Sequence, residues 1–457
     1  MNIPAAPTTV RTAVSGVLKR YRRVLLIVTA WLATRIPLYL TDRGAWIPSY
    51  GHMSTSDITL YRMWVAGYLI HGNIPTGATW QYPPLVGLLL LMPKLMPGAV
   101  YLTQFTNLAL LADAAVFCIL MWTAMRRGSW LGPWVWVLGG ALLGPIIYGR
   151  FDVFATFFPV AALALLGHGV SEQGGGRMLN NRRWAAGALI GVGMALKFWP
   201  GIALFGLPRT KRGLQASLSA VVVGGATLAC ALCFNGGADF LGEQGARGIE
   251  IESLWALPFL LAHWAGAHSI SYQLLYGSLQ VVSPGLSNVA ADLALLSTAI
   301  GFAVLGWWWW RKNWRPAVAA DAAFVGTLIS IVTSRVISPQ YMIWLLGTAA
   351  FCLLFKDTTQ RRSTLLFLPA LPLTQLDFPI TFTALREGHF GPIMIVGLRD
   401  ALLLAATVIG MSDLWRSTVT GRFWSLKALR RQSEQAQTAD RAGAEATERA
   451  FSLHFLP

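Results

Sequence analysis

The stretch LTQFTNLALLADAAVFCILMWTAMRR, residues 102–127, carries twenty-four mostly apolar residues and then two arginines. A helix that crosses a bilayer needs about 20 such residues, so this stretch reads as a crossing. Positive charge collects on the cytoplasmic side of membrane proteins, which makes Arg126 and Arg127 its inner end. The segment before it, 83–97, is apolar but short and bracketed by prolines. Were that segment a crossing, the two arginines would fall outside. It therefore reads as a re-entrant or partial helix.

Working outward, the tail 1–23 holds Arg11, Lys19, Arg20, Arg22 and Arg23 and reads as cytoplasmic. The first crossing, 24–41, is longer than a signal-peptide core and no small-residue cleavage site follows it. An external loop, about 42–101, comes next. Within it, 57–71 reads as a surface helix, capped by residues 54–56 and stopped by Gly72. Its stripe of Leu60, Trp64 and Tyr68 suits a helix lying on a membrane. Beyond Arg127 the apolar runs alternate across the bilayer, with the Arg/Lys clusters at 177–183, 209–212, 311–315 and 356–362 all inside. A helix break falls at Trp199-Pro200, and a second external region covers about 235–290. The tail 414–457 is charged and reads as disordered or loosely helical in the cytoplasm. The expected fold is all-α: a polytopic membrane helix bundle over 24–413 with eleven to thirteen crossings and both termini inside. No internal repeat of the kind found in inverted-repeat transporters is evident.

Composition agrees. The 457 residues are 55% hydrophobic and 12% charged, with a mean hydropathy of +0.53. A soluble domain carries roughly 25% charged residues. The net charge of +16 sits in short loops and tails, where topology explains it, so nucleic acid is not an expected partner. The cysteines lie in apolar runs. Cys230 and Cys233 have the spacing of a metal pair but no second pair or histidine near them, so neither a metal nor a disulfide is expected.

In such a chain, polar and ionisable groups at the ends of apolar runs are the candidates for function. Asp57, in Ser54-Thr55-Ser56-Asp57-Ile58-Thr59-Leu60-Tyr61, sits in the first turn of the loop helix. The helix N-terminus favours its ionised form, which suits a base taking a proton from a hydroxyl; otherwise it is only a helix-start carboxylate. Tyr61 lies one turn further on the same face and is placed to orient an acceptor. Arg150 and Asp152 flank Phe151 at a helix entry, either as site residues or as a local ion pair. Lys197 is set to meet a phosphate or to snorkel to the interface. Arg335 lies in a tight external turn, where arginine holds phosphate bidentately or anchors to lipid headgroups; Ser338, Gln340 and Tyr341 follow it. Glu250 and Glu252 face a sugar or solvent. Asp113, mid-helix, reads as a structural hydrogen-bonding group, and 307–310 as an aromatic belt at the inner interface.

Taken in order, these residues resemble a known group. An acidic residue in the first external loop followed by Tyr82-Pro83-Pro84-Leu85 is similar to the GT-C superfamily of membrane glycosyltransferases, and within it to glycosyltransferase family 87. Gly149-Arg150-Phe151-Asp152, Lys197-Phe198-Trp199-Pro200, Glu252-Ser253-Leu254-Trp255, Ser338-Pro339-Gln340-Tyr341 and Leu398-Arg399-Asp400-Ala401-Leu402 extend the match in the family's order. The best-known members are actinobacterial polyprenyl-phosphate-mannose-dependent α-mannosyltransferases. The resemblance implies a bacterial plasma-membrane enzyme with its active site outside, a polyprenyl-phosphate sugar donor and a glycolipid or glycan acceptor. It implies catalysis by Asp57, with Lys197, Arg335 and Arg150 on the donor phosphate and Tyr61, Tyr82, Asp152, Glu252, Gln340 and Tyr341 on substrate. Asp57 stands without the second acidic residue common in the superfamily, so no metal or other cofactor is expected. The alternatives are a polyprenyl-phosphate arabinofuranose donor, or a transporter or flippase that binds a lipid-linked sugar without chemistry.

Overall fold

Long apolar runs must satisfy their backbone N–H and C=O groups internally, which selects helices. The computed structural model describes residues 8–43, 55–98, 100–169, 177–232 and 235–420, and these are mostly helical. Among the described residues, six helices are long and apolar enough to cross a membrane: Lys19–Asp42, Tyr101–Arg127, Lys211–Cys230, Leu286–Arg311, Arg361–Arg386 and Phe390–Thr418. Six shorter apolar helices of 10–17 residues stand with them. The all-α membrane bundle expected from the sequence is the architecture found. Leu85–Leu95 is one of the short helices, which agrees with a partial helix between Pro83 and Pro97. The expected cap Ser54, the cysteine at 233 and the tail beyond residue 420 lie outside the described residues.

The core is built from the short helices. Nearly every residue of Pro316–Val332 and Tyr341–Cys352 is buried, whereas Leu286–Arg311 exposes Leu293, Leu296, Ile300 and Trp307. Helices Arg177–Leu196 and Lys211–Leu232 close up through small residues. A Cβ on Gly187 would lie 2.1 Å from the Ala216 carbonyl oxygen. Trp308 is buried and donates to Thr418, while Trp307 and Trp310 are exposed, so only part of the expected aromatic belt faces outward.

Asp113 is structural. Arg35 Nε donates to its Oδ2 at 3.0 Å, Tyr148 to the same oxygen at 2.8 Å and Trp136 to Oδ1 at 2.7 Å. Both charges of the pair are buried. Removing one partner of such a pair leaves an uncompensated charge and costs about 3–5 kcal/mol. Asp113→Leu is therefore expected to lower the unfolding temperature sharply in detergent; a variant melting with the parent protein would show that the network contributes nothing.

The two loop regions fold together over one end of the bundle. Ile74 N donates to the Asn235 carbonyl at 3.1 Å, and Gln244 Nε2 to the Gln81 carbonyl at 2.6 Å. The second region departs from the all-helical expectation. It contains a three-stranded antiparallel sheet of β1 (Ile249–Glu250), β2 (Ser271–Leu275) and β3 (Ser278–Val282), ordered β1-β3-β2. Leu275 pairs with Ser278, which leaves a two-residue turn of Tyr276 and Gly277, both at positive φ. That is the backbone of a tight hairpin, and its twist matches the strands.

Candidate active site

Helix Ser56–Gly67 buries Ile58, Tyr61, Trp64 and Val65. Trp64 packs edge-on to Trp80 at 5.1 Å, so it turns inward, while Tyr68 is exposed. The expected membrane-facing stripe of Leu60, Trp64 and Tyr68 is therefore not one face of the helix. Seated this way, the helix presents Asp57 from its first turn. Thr55 is the N-cap residue, and its side chain makes no capping hydrogen bond to the helix.

Asp57 is 27% exposed and pairs with Arg150, whose Nε lies 2.6 Å from Oδ2. Arg150 stands in extended backbone between the short helix Ile146–Gly149 and the helix that starts at Asp152. Burial pushes the Asp57 carboxyl above the ordinary carboxylate range; Arg150 and Lys197 pull it back and Asp152 adds to the rise. The sequence-based expectation of a carboxylate favoured in its ionised form is thus reversed in direction, because desolvation outweighs its neighbours. A raised pKa makes a stronger base near neutral pH. Were Asp57 the base of a transfer reaction, it would work only when deprotonated, and activity would rise with pH through this pKa. Arg150→Gln removes the largest force holding it down and is expected to move the acidic limb of the pH–rate profile to higher pH. A limb that stays in place would separate Arg150 from the titrating group.

Lys197 follows helix Arg177–Leu196. Its Nζ donates to Asp152 Oδ1 at 2.6 Å and sits 4.7–5.1 Å from the ring centroids of Trp344, Phe151 and Tyr341. Trp344 Nε1 donates to the same Asp152 oxygen at 2.7 Å. Asp152 is thereby engaged in positioning Lys197 and lies outside the described lining of the two cavities that meet here.

The smaller cavity, about 80 Å³, is lined by Asp57, Tyr82, Lys197, Phe198, Arg247, Gln340 and Tyr341, among others. Burial pushes the Tyr82 phenol well up, so it stays protonated. The larger, about 520 Å³, is lined by Asp57, Arg150, Glu250, Glu252, Tyr272, Phe378, Phe382 and Arg386, among others. Asp57, Gly277, Ser278, Ser338 and Gln340 belong to both. Asp57 thus stands where a cationic chamber meets a roomy polar one.

Two expected contacts fall elsewhere. Tyr61 is buried against Trp64, Phe105 and Phe151 beneath Asp57 and does not belong to the described lining of either cavity. Arg335 turns away and donates to the carbonyls of Gln244 and Gly245 at 2.9 and 3.1 Å, where it ties down the second loop region. Arg247 stands in the cationic chamber instead. Its Nη2 lies 3.2 Å from Ser278 Oγ and its buried Nε has no hydrogen-bond partner. The sequence reading missed Arg247 because it lies in a glycine-rich loop with no motif around it.

Among the described residues, no group of three or more His, Cys, Asp or Glu is arranged to hold a metal ion. The model of glycosyltransferase family 87 matches residues 80–339, which is more than half of the chain. The chain belongs to glycosyltransferase family 87. The match takes in Tyr82, Arg150, Asp152, Lys197, Arg247 and Glu252, and leaves Asp57, Gln340 and Tyr341 outside it. Membership makes the protein a glycosyltransferase, and its apolar helices make it a multi-pass membrane protein. A reading as a transporter without chemistry gives way to the family. Comparison with the curated proteins gives no match. Among solved structures, the chain is similar to ArnT from Cupriavidus metallidurans bound to undecaprenyl phosphate, at 14% identity and a TM-score of 0.43 over 85% of this chain and 76% of that one. The apo state of the same protein aligns at 13% identity and a TM-score of 0.41, over 86% and 77%.

Proposed function

We propose that this family 87 glycosyltransferase moves one sugar, mannose in the leading reading, from a polyprenyl phosphate to a hydroxyl of an envelope glycolipid or glycan. The observation that carries the proposal is the placement of Asp57 between the cationic chamber and the large polar cavity. The loop-capped end of the bundle would face outside, because Arg209, Arg311, Lys312, Arg315 and Lys356 follow inner helix ends in the order the positive-inside rule requires. Both termini would then be cytoplasmic.

The donor phosphate would sit against Lys197 and Arg247. Phe198, half-exposed beside Lys197, would open that chamber toward the polyprenyl chain. The acceptor oxygen would attack the anomeric carbon from the side of the large cavity. As that bond forms, the bond from carbon to phosphate oxygen breaks and its electron pair leaves with the phosphate. Fixed cations stabilise the charge that grows there. The acceptor proton passes to Asp57, and the anomeric centre inverts. A phosphate leaves readily without a proton, so the two-carboxylate arrangement of glycoside hydrolases is not needed.

The test is to supply the purified protein with radiolabelled polyprenyl-phosphate mannose and a membrane extract. Label is expected in a glycolipid or glycan fraction. Equal use of a free nucleotide sugar would overturn the donor assignment, and preference for the arabinofuranosyl lipid would replace mannose.

A further inference from the structure

The motif Leu398-Arg399-Asp400-Ala401-Leu402 has no part in the proton transfer derived above. In the fold, Arg399 is fully buried within helix Phe390–Thr418. All of its guanidinium nitrogens are engaged. Nη1 donates to Asp377 Oδ2 and Nε to Asp400 Oδ1, each at 2.9 Å, and Nη2 donates to the Glu252 backbone carbonyl. One cation thus grips the second loop region and the span Arg361–Arg386 together. Burying charge is costly, and holding one geometry is among the best-attested uses of such a network. Asp377, also fully buried, stands beside a break in that span. Phe378 leaves helical geometry there for extended backbone, at φ −125° and ψ 125°. Its ring joins the wall of the larger cavity, edge to face with Phe382 at 5.3 Å. The centroid of that ring lies 5.7 Å from Arg150 Cζ, within the range of a cation–π attraction. Arg150 in turn holds Asp57 at 2.6 Å. A run of contacts therefore leads from a buried ion pair, through one ring, to the carboxylate of the site.

We infer that Arg399 and Asp377 are positioning residues for the transfer reaction: they fix the helix break, the break seats Phe378 against the Arg150 guanidinium, and Phe378 keeps Arg150 turned to Asp57. Arg399 and Asp377 act through Arg150 and touch no reacting atom. The inference rests on the reaction proposed above, with Asp57 as its base. The groups that act on the Asp57 charge are Arg150, Lys197, Asp152, Tyr61 and Tyr82. Glu250, Glu252 and Arg386 share the larger cavity with it. Burial raises the Asp57 pKa, and Arg150 is the strongest charge opposing that rise. Arg150 is also the one on which Phe378 packs. An Arg150 released by the ring therefore leaves the base to lose its proton only at higher pH.

The test is the pH–rate profile of label transfer by the full-length protein, supplied with radiolabelled polyprenyl-phosphate mannose and membrane extract. Phe378→Leu is expected to move the acidic limb up by about half a pH unit, the size of one cation–π contact. Phe378→Tyr keeps the ring and should return the limb to its parental place. Arg399→Lys should move the limb in the same direction as Phe378→Leu, because an ammonium cannot hold several fixed acceptors as a guanidinium fork does. Asp377→Ala leaves Arg399 paired with Asp400; it should give the same shift and keeps the test open should Arg399→Lys fail to fold. The effect runs through Arg150, so adding Phe378→Leu to Arg150→Gln should move the limb no further than Arg150→Gln alone. A ring that merely packs the cavity wall would slow transfer equally at every pH. A limb unmoved by Phe378→Leu, or one that moves again in the double variant, overturns the positioning role and leaves the proposed function standing. So does a limb that responds to Phe378→Leu but to neither folded Arg399→Lys nor Asp377→Ala. A parent protein that transfers no label sinks the proposed function, and the positioning role with it.

Discussion

Asp57→Asn is expected to lower turnover by about 10²–10⁴-fold, the range lost with a general base, and to leave the protein folded. The amide has the shape of the carboxylate and still offers Arg150 an oxygen at the 2.6 Å contact. It cannot take a proton. The helix that carries it is held by Ile58, Tyr61, Trp64 and Val65, none of which the substitution touches. Initial rates of label transfer measure the first expectation and the melting temperature in detergent measures the second. Turnover near that of the parent protein removes Asp57 from the mechanism. Lost turnover with a large drop in melting temperature assigns the residue to the fold.

The second large effect is expected at Lys197. Replacing it with Met removes one of the two cations of the smaller chamber and should cost about 10²–10³-fold in turnover, the scale of losing one fixed donor to a developing oxyanion. A competing explanation is that Lys197 only neutralises Asp152, with which it pairs at 2.6 Å. The double variant Lys197→Met with Asp152→Asn separates the two. It removes the stranded carboxylate, while the new amide oxygen still accepts from Trp344. If Lys197 stabilises the leaving phosphate, the double variant stays as slow as the single one; recovery toward parental turnover means that the lysine serves Asp152.

Much of this was legible in the chain. Apolar runs of crossing length, the proline-bracketed 83–97 segment and the acidic first loop are local features, and local features survive folding. The order of motifs from Asp57 and Tyr82 to Leu402 was enough to identify the family resemblance. What escaped was set by contacts distant in sequence. Arg335 looked like a phosphate ligand beside Ser338 and Gln340, but the carbonyls that turn it away come from Gln244 and Gly245, some ninety residues earlier. Arg247 and Tyr272 enter the site only because the second loop region docks on the first through Asn235 and Gln244. The β2–β3 hairpin escaped because its turn places Tyr276 at positive φ, where Gly, Asn or Asp is the usual signal. Tyr61 has the correct helical spacing from Asp57, yet spacing gives the face and not which side of that face the bundle covers.

The most direct measurement is the structure of the protein with a non-hydrolysable polyprenyl-phosphate sugar. The phosphate is predicted against Lys197 and Arg247, with the anomeric carbon turned toward Asp57 and the larger cavity open behind it. A phosphate held at the arginine-rich opposite end, or a sugar out of reach of Asp57, would contradict the account.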